Sequence, residues 1–376
     1  MSETNYSFLS VCIITRDQRE KLEKCLKAVK SMLPGADIAV LDTGSRDGSL
    51  RTAGEYTDNV GEFSWCDDFS KAKNAATAMA KNDLVLILDT DEYIEEILPE
   101  NDGVISLIKA VKAYPGAVGR IKRSNSYVNE QGLRTVYDEW INRIFDRRIF
   151  CYEGRIHEQV VRKDPAGGQD IYDYRMYLSP VKVFHDGYDL TEEELKKKAE
   201  RNGVLLKKEI EENPEDPYLY YQLGKTEYRA GAKKDAAEHL LRSLELKPDE
   251  GMEYLTDLIC LAGYALLDTH RADQGLELLA PFRENKRYGE DADFLFLYGI
   301  LLMNCTRFFE ARDTFVSCTG LKASRTEGTS SFMAWYNAGV ISEVLGDKES
   351  AIGYYKMAGE FEPARLGIMR LGAVHK

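Results

Sequence analysis

Residues 84–92, LVLILDTDE, join an apolar run of strand length to two aspartates one residue apart. A run of Val, Leu and Ile without alternation suits a strand buried on both faces, as in a parallel sheet. Ligands of such sheets bind beyond the carboxyl ends of the strands. Asp89 and Asp91 can converge where the strand opens into a loop. There they repel one another unless a divalent cation or several hydrogen bonds compensate them. The alternative is a helix N-cap, since an aspartate after a strand commonly caps the next helix.

The rest of the chain sets the context of that pair. Its 376 residues suffice for about two domains, each with its own core. A hydrophobic content of 44% and a charged content of 30% are ordinary for a soluble globular protein. The net charge of −13 argues against general affinity for nucleic acid or anionic membranes. Seven cysteines, at 12, 25, 66, 151, 260, 305 and 318, are odd in number and form no C-x-x-C pair. That pattern fits free thiols in a reducing cytoplasm better than a disulfide frame or a zinc site. The start lacks a basic segment followed by an apolar one, and no apolar run is long enough to span a bilayer. A cytoplasmic protein without membrane insertion is the expectation.

In chain order, Phe8 to Thr15 reads as a second buried strand, followed by a helix with Leu22, Cys25, Leu26 and Val29 on one face. Pro34 and Gly35 break that helix, and Ile38 to Asp42 forms another strand ending in an aspartate. A turn-rich loop, residues 43–49, leads into the next helix. Alternating strands and helices predict a parallel sheet with right-handed crossovers. Parallel strands then deliver Thr15, Arg16 and Asp17, Asp42, and Asp89 and Asp91 to one rim. The G-x-G-x-x-G fingerprint of classical dinucleotide folds is absent.

The segments SVCIITRD (10–17), DTGSRDGS (42–49), WCDDFSKAKN (65–74) and LDTDE (88–92) resemble the successive motifs of family 2 glycosyltransferases. The third resembles the D-F-S-x-A-R-N segment of a bacterial branch with helical repeats after its catalytic domain, which includes the sublancin-type peptide S-glycosyltransferase. The resemblance covers roughly residues 8–190 and implies a GT-A fold, a Rossmann-like mixed sheet that binds a nucleotide sugar. It implies that Thr15, Arg16, Asp17 and Asp42 border the base and ribose, with Asp67, Lys73 and Asn74 near the nucleotide or its diphosphate. Asp89 would face the ribose or a metal-bound water, and Asp91 would bind the Mn²⁺ or Mg²⁺ that bridges the diphosphate. His185, after a late strand, resembles a further metal ligand of this fold. The common T-x-N of the first loop is Thr-Arg-Asp here, which bears on how the base is read. The chemistry agrees, because a cation on both phosphates stabilises the leaving nucleoside diphosphate without a protein acid. Hard carboxylate oxygens suit Mg²⁺ or Mn²⁺ as ligands.

Residues 116–122 and 135–137 read as strands near the sheet edge. Residues 140–158 then pack aromatics, arginines and an acid together and resemble the branch's R-I/L-F strand and Y-x-G-x-I-H-E turn. Inverting transfer needs a base for the acceptor proton. Glu158 and His157 are the candidates, Glu158 first, with Glu92 as an outsider. The bland alternative makes His157 and Glu158 a hydrogen-bonded pair that shapes the turn.

Thr191, with Glu194 three residues on, begins a highly charged helix that runs to about Glu212. From about Pro217 glycines 224, 263, 299 and 339 recur about 36 to 40 residues apart, a helical-solenoid signature. Tyr220, Leu223, Gly224, Ala236, Leu240 and Pro248 fall where a tetratricopeptide repeat places W, L, G, A, F and P. Trp335, Ala338, Gly339, Ala351, Tyr355, Ala358 and Pro363 match better. Tyr298, Gly299, Ala311 and Phe315 make a third match, and Ile259, Ala262 and Gly263 a weak one.

The expected architecture is therefore α/β followed by all-α: a GT-A domain over 1–190, a linker helix over 191–213 and a tetratricopeptide-like domain over 214–376. The expected activity is metal-assisted, inverting transfer of a hexose from a nucleoside diphosphate sugar, UDP foremost, to a protein or peptide. Alternatives are a transferase building a surface glycan or lipid-linked oligosaccharide, and a repeat-based binding protein with an inactive sugar-nucleotide domain. A homodimer through the repeats is a further expectation.

Overall fold

The structure, a computed structural model, describes residues 5–97, 111, 116–128, 134–165, 170–185, 192–321 and 326–373. Two compact units divide the chain, Met1–Arg201 and Asn202–Lys376.

The first unit is a mixed eight-stranded sheet with helices on both faces. In chain order it runs β1 (Leu9–Thr15), α1 (Arg19–Met32), β2 (Asp37–Asp42), α2 (Ser49–Gly54), β3 (Val60–Glu62), α3 (Phe69–Ala78) and β4 (Leu84–Asp89). Strands β5 (Glu92–Ile97), β6 (Val118–Val128), β7 (Arg134–Asp146) and β10 (Met176–His185) complete the sheet, in the order β3-β2-β1-β4-β7-β6-β10-β5. Strands β8 (Phe150–Glu153) and β9 (Gln159–Arg162) form a separate antiparallel hairpin. The first four strands of the sheet are parallel, as alternating strands and helices require, and β7 joins β4 in the antiparallel sense. Leu22, Cys25, Leu26 and Val29 of α1 are all fully buried against one sheet face, with Tyr93 and Ile94 of β5 in the same core. Ala76 of α3 packs on the other face with Phe145, Phe150 and Tyr152.

One alternative falls here. Asp89 and Asp91 cap no helix, because β4 passes through Thr90 and Asp91 straight into β5. Glu92, the outsider among bases, opens β5 and is 0% exposed, out of reach of an acceptor.

Helix α4 (Glu192–Glu212) crosses the boundary between the units, which falls after Arg201. The cap expected at Thr191 lies outside the described residues. The second unit consists of helical hairpins: α5 (Pro217–Arg229) with α6 (Lys233–Glu245), and α7 (Leu255–Asp268) with α8 (Ala272–Arg283). After the short α9 (Lys286–Gly289) come α10 (Ala292–Asn304) with α11 (Phe308–Cys318), α12 (Phe332–Val344) with α13 (Lys348–Met357), and α14 (Glu362–Ala373).

The repeat pattern read from the sequence is a packing code. A Cβ at Gly224 would lie 2.6 Å from Leu240, at Gly299 2.9 Å from Phe315, and at Gly339 2.6 Å from Tyr355. Each glycine thus admits the large residue of its partner helix, and Leu240, Phe315 and Tyr355 are fully buried there. Gly263, the weak match, instead meets Leu297 of the next hairpin at 2.9 Å as well as Leu279 at 3.1 Å. Among the described residues no helix is long and apolar enough to cross a membrane.

Candidate active site

Parallel pairing sets the first edge of the site. Thr15 stands beside Asp42 and Ile14 beside Asp89, so β1, β2 and β4 end at one rim. Asp42 is buried, and its Oδ1 accepts from the N–H of Gly44 (3.2 Å), the N–H of Ser45 (3.0 Å) and Ser45 Oγ (2.6 Å). It folds its own loop, and Gly44 at φ +106° supplies the backbone turn this needs. Thr43 donates its N–H (2.9 Å) and its hydroxyl (3.0 Å) to the Thr15 carbonyl. Asp17, at φ +49°, accepts from the Arg46 N–H at 2.7 Å, and its own N–H donates to Ser45 Oγ at 2.9 Å. The loops after β1 and β2 are thereby stitched together, with Arg16 exposed between them. Thr15 Oγ1 is buried at this rim with no hydrogen-bond partner among the described residues.

Helix α3 brings the second edge. Asp68 caps it, accepting from the Lys71 N–H at 2.9 Å, while Asp67, at φ +58°, accepts from Trp65 Nε1 at 3.0 Å. Asn74 is turned to the scaffold: its amide donates to the Tyr152 carbonyl and accepts from the Tyr152 N–H, both at 2.8 Å. One turn face away, Lys73 is buried with its Nζ between Asp89 Oδ1 (2.9 Å) and Glu158 Oε1 (2.6 Å). Burial opposes its charge, but Asp89 and Glu158 outweigh burial and raise its pKa above the ordinary lysine value.

Asp89 is held on both oxygens. Arg143 Nη2 lies 2.6 Å from Asp89 Oδ2 and 2.8 Å from Glu92 Oε1. Glu92 Oε2 accepts the Asp89 N–H at 3.0 Å, and Arg123 Nη1 approaches Glu92 Oε1 at 3.1 Å. Burial disfavours the Asp89 charge, yet Arg143 and Lys73 overcome it and hold the carboxyl well below the usual range. Asp89 is therefore a carboxylate fixed on both oxygens, with its charged form favoured.

Asp91, two residues on, belongs to a different cluster. Its Oδ2 lies 3.6 Å from His185 Nε2, and His185 Nδ1 lies 2.9 Å from Asn125 Oδ1. Burial works against its charge, and His185 across from it is the main group that keeps its pKa below the usual range. Glu158 and His157 end a turn in which Gly154 (φ +100°) and His157 (φ +54°) are left-handed. The Phe69 N–H donates to the Arg155 carbonyl of that turn at 2.8 Å, which docks it on the start of α3.

Residues 10–160 match the family model described as glycosyl transferase family 2. This segment belongs to that family. Relatives extend the likeness beyond the family 2 domain. A TPR repeat-containing protein of Synechococcus elongatus is 31% identical over 248 residues, covering 65% of this chain and 59% of the relative. The SPbeta prophage-derived glycosyltransferase SunS of Bacillus subtilis is 22% identical over 273 residues, covering 71% and 60%. The chain thus spans about three fifths of the length of these curated relatives. Among solved structures, YrrB, a TPR protein with an unusual peptide-binding site, is similar at 21% identity over 47% of this chain and 84% of its own, TM-score 0.39. MamA from AMB-1 is similar at 22% identity over 46% and 96%, TM-score 0.37.

Within the family 2 domain, the sequence-predicted residues fall into three groups. Lys73, Asp89 and Glu158 form one ion-paired array, Asp91 and His185 face each other, and Thr15, Asp17 and Asp42 build the loop rim. Sequence reasoning assigned no role to Arg143, Arg123, Glu139 and Asn125, which tie the first two groups together. Their signal was faint: Arg143 lies in the arginine-rich stretch 140–158, and Arg123 pairs directly with Glu139 across β6 and β7.

Proposed function

We propose that the chain is an inverting glycosyltransferase that moves a hexose from a nucleoside diphosphate sugar, foremost a UDP-sugar, to a protein or peptide, assisted by Mn²⁺ or Mg²⁺. The observation that carries this reading is the ion-paired Glu158–Lys73–Asp89–Arg143 array, with Lys73 and Arg143 buried, at the rim where β1, β2 and β4 end, beside Asp91 and His185.

Asp91 and His185 fit a divalent ion as a two-ligand site, with an oxygen and a nitrogen 3.6 Å apart. Among the described residues no three His, Cys, Asp or Glu side chains cluster to hold a metal unaided, so the remaining ligands would be diphosphate oxygens and water. Bound there, the ion would neutralise charge arriving on the leaving diphosphate. Thr15, Arg16, Asp17 and Asp42 form the nucleoside side, where the unpaired Thr15 hydroxyl awaits a polar partner. Asp89 presents a fixed carboxylate to the ribose. Asp67 and Asn74 shape the ends of the wall that carries Lys73. As the acceptor–sugar bond forms and the sugar–phosphate bond breaks, the acceptor proton passes to Glu158, through the oxygen that Lys73 does not hold. His157, its neighbour in the turn, is the alternative base. The helical hairpins of the second unit favour a peptide acceptor, because stacked repeats build extended binding surfaces.

A screen of nucleotide sugars for release of free UDP or GDP tests the reading. Glu158→Gln is expected to lower turnover by about 10²-fold or more, the size of a lost general base. Asp91→Ala should abolish the Mn²⁺-dependent part of the thermal shift produced by UDP. Absence of any shift with UDP and Mn²⁺ together would sink the enzyme reading in favour of an inactive sugar-nucleotide domain.

A further inference from the structure

Asn125 and Glu139 bear on which nitrogen His185 offers. The last residue of β10, His185, stands beside Asn125 of β6 on one side and Glu92 of β5 on the other. Asn125 is fully buried. Its Nδ2 lies 2.6 Å from Glu139 Oε1, and its Oδ1 lies 2.9 Å from His185 Nδ1. Glu139 is itself fixed, since Arg123 forks it through Nε at 3.1 Å and Nη2 at 2.8 Å.

Donor and acceptor capacity settles the rest. An ionised carboxylate only accepts, so the Asn125 amide must turn its NH₂ to Glu139 and its carbonyl to His185. That carbonyl also only accepts, so His185 must carry its proton on Nδ1. In the neutral ring the lone pair then sits on Nε2, the atom that faces Asp91 Oδ2 at 3.6 Å. With Nε2 bare these two acceptors repel unless a cation lies between them; only a ring protonated on both nitrogens donates to Asp91 and lowers its pKa. Free imidazole side chains in water favour the opposite tautomer, so the protein is holding this one in place.

We propose that Arg123, Glu139 and Asn125 form a positioning relay that locks His185 in its Nδ1–H tautomer and aims Nε2, together with Asp91, at a divalent cation. The cation rests on the function proposed above, whereas the tautomer rests on the hydrogen bonds alone. Partners of this kind hold a metal-directed imidazole in register, and losing one typically costs 10- to 100-fold in metal affinity.

Long-range ¹H–¹⁵N correlation on the ¹⁵N-histidine-labelled, metal-free full chain, at about pH 8.5 where ordinary histidines near ~6.5 are neutral, reads the tautomer directly. The His185 signals are assigned by their loss in His185→Gln. The expected result is a protonated Nδ1 and a bare Nε2. Asn125→Leu should shift the ring toward Nε2–H and weaken Mn²⁺ binding, measured calorimetrically with UDP present, by about 10- to 100-fold. Glu139→Gln, which keeps an acceptor for the amide, should retain the Nδ1–H form. A wild-type ring protonated on Nε2, or an unchanged tautomer in folded Asn125→Leu, overturns the relay. Should Asn125→Leu not fold, the wild-type and Glu139→Gln spectra decide alone. An Nδ1–H ring in a protein that binds no Mn²⁺ with UDP would uphold the relay and reject the cation.

Discussion

Lys73 shows what a single residue does here. Its buried ammonium holds two half-buried carboxylates, Asp89 and Glu158, within hydrogen-bond reach. Lys73→Met leaves Glu158 without its ion pair and Asp89 with Arg143 alone, so it should destabilise the unit in denaturant unfolding by less than the about 3–5 kcal/mol of a fully buried pair. Adding Glu158→Gln should recover part of that loss, because one of the two charges is gone. Thiol reactivity gives an independent check on burial. Cys12 is buried, and desolvation foremost, with Asp37 adding, pushes its pKa up to about 12. Burial and the acids Glu92, Asp91 and Asp89 raise Cys25 as well. Iodoacetamide should therefore modify exposed Cys66 while Cys12 and Cys25 stay unmodified until the unit unfolds. At this scale the sequence was legible where the signal was local. Asp89 and Asp91 announced themselves at the end of an apolar run. Arg143 and Arg123 did not, because their acidic partners come from strands far away in the chain, and single-sequence periodicity carries no such pairing.

Helix α3 owes its start to Asp68. Burial opposes the Asp68 charge, but the Lys71 N–H, Ser70 and Lys71 hold its pKa below the usual value. A depressed folded pKa gives stability that is present above the unfolded value, near ~3.9, and is lost as pH falls through the folded one. Asp68→Ala should cost about 1 kcal/mol at neutral pH. Asp68→Asn keeps the cap and should flatten the loss of stability below about pH 4, followed by acid titration of the melting temperature. In the second unit Gly339→Ala drives a methyl into the Tyr355 ring, and about 1–3 kcal/mol of destabilisation is expected. The repeats were readable because each hairpin restates one small-against-large rule at a nearly fixed spacing. Asp67 and Asp68 look alike in sequence, and only the backbone, left-handed at Asp67, tells them apart.

On the scale of the whole molecule, the two units have separate cores, one built on the sheet and one on the hairpins. Calorimetry should therefore resolve two transitions. UDP with Mn²⁺ should raise only the transition of the sheet unit, by about 2.7 kcal/mol at a hundredfold excess over Kd, and Gly339→Ala should lower only the other. The order of units was plain from the change of period near Pro217. The antiparallel insertion of β7 and β6 between β4 and β10 was not, because nothing in a single strand's composition names its neighbour. That insertion divides the aspartate pair between two inheritances. Asp89 ends a strand gripped by β1 and β7, whereas Asp91 enters one paired with β10 across the sheet. A substitution along β10 reaches Asp91 and His185 and leaves Asp89, Asp42 and Thr15 in register. Descendants of such a chain are free to discard or exchange the proposed ion site one mutation at a time while the proposed nucleoside pocket is passed on intact.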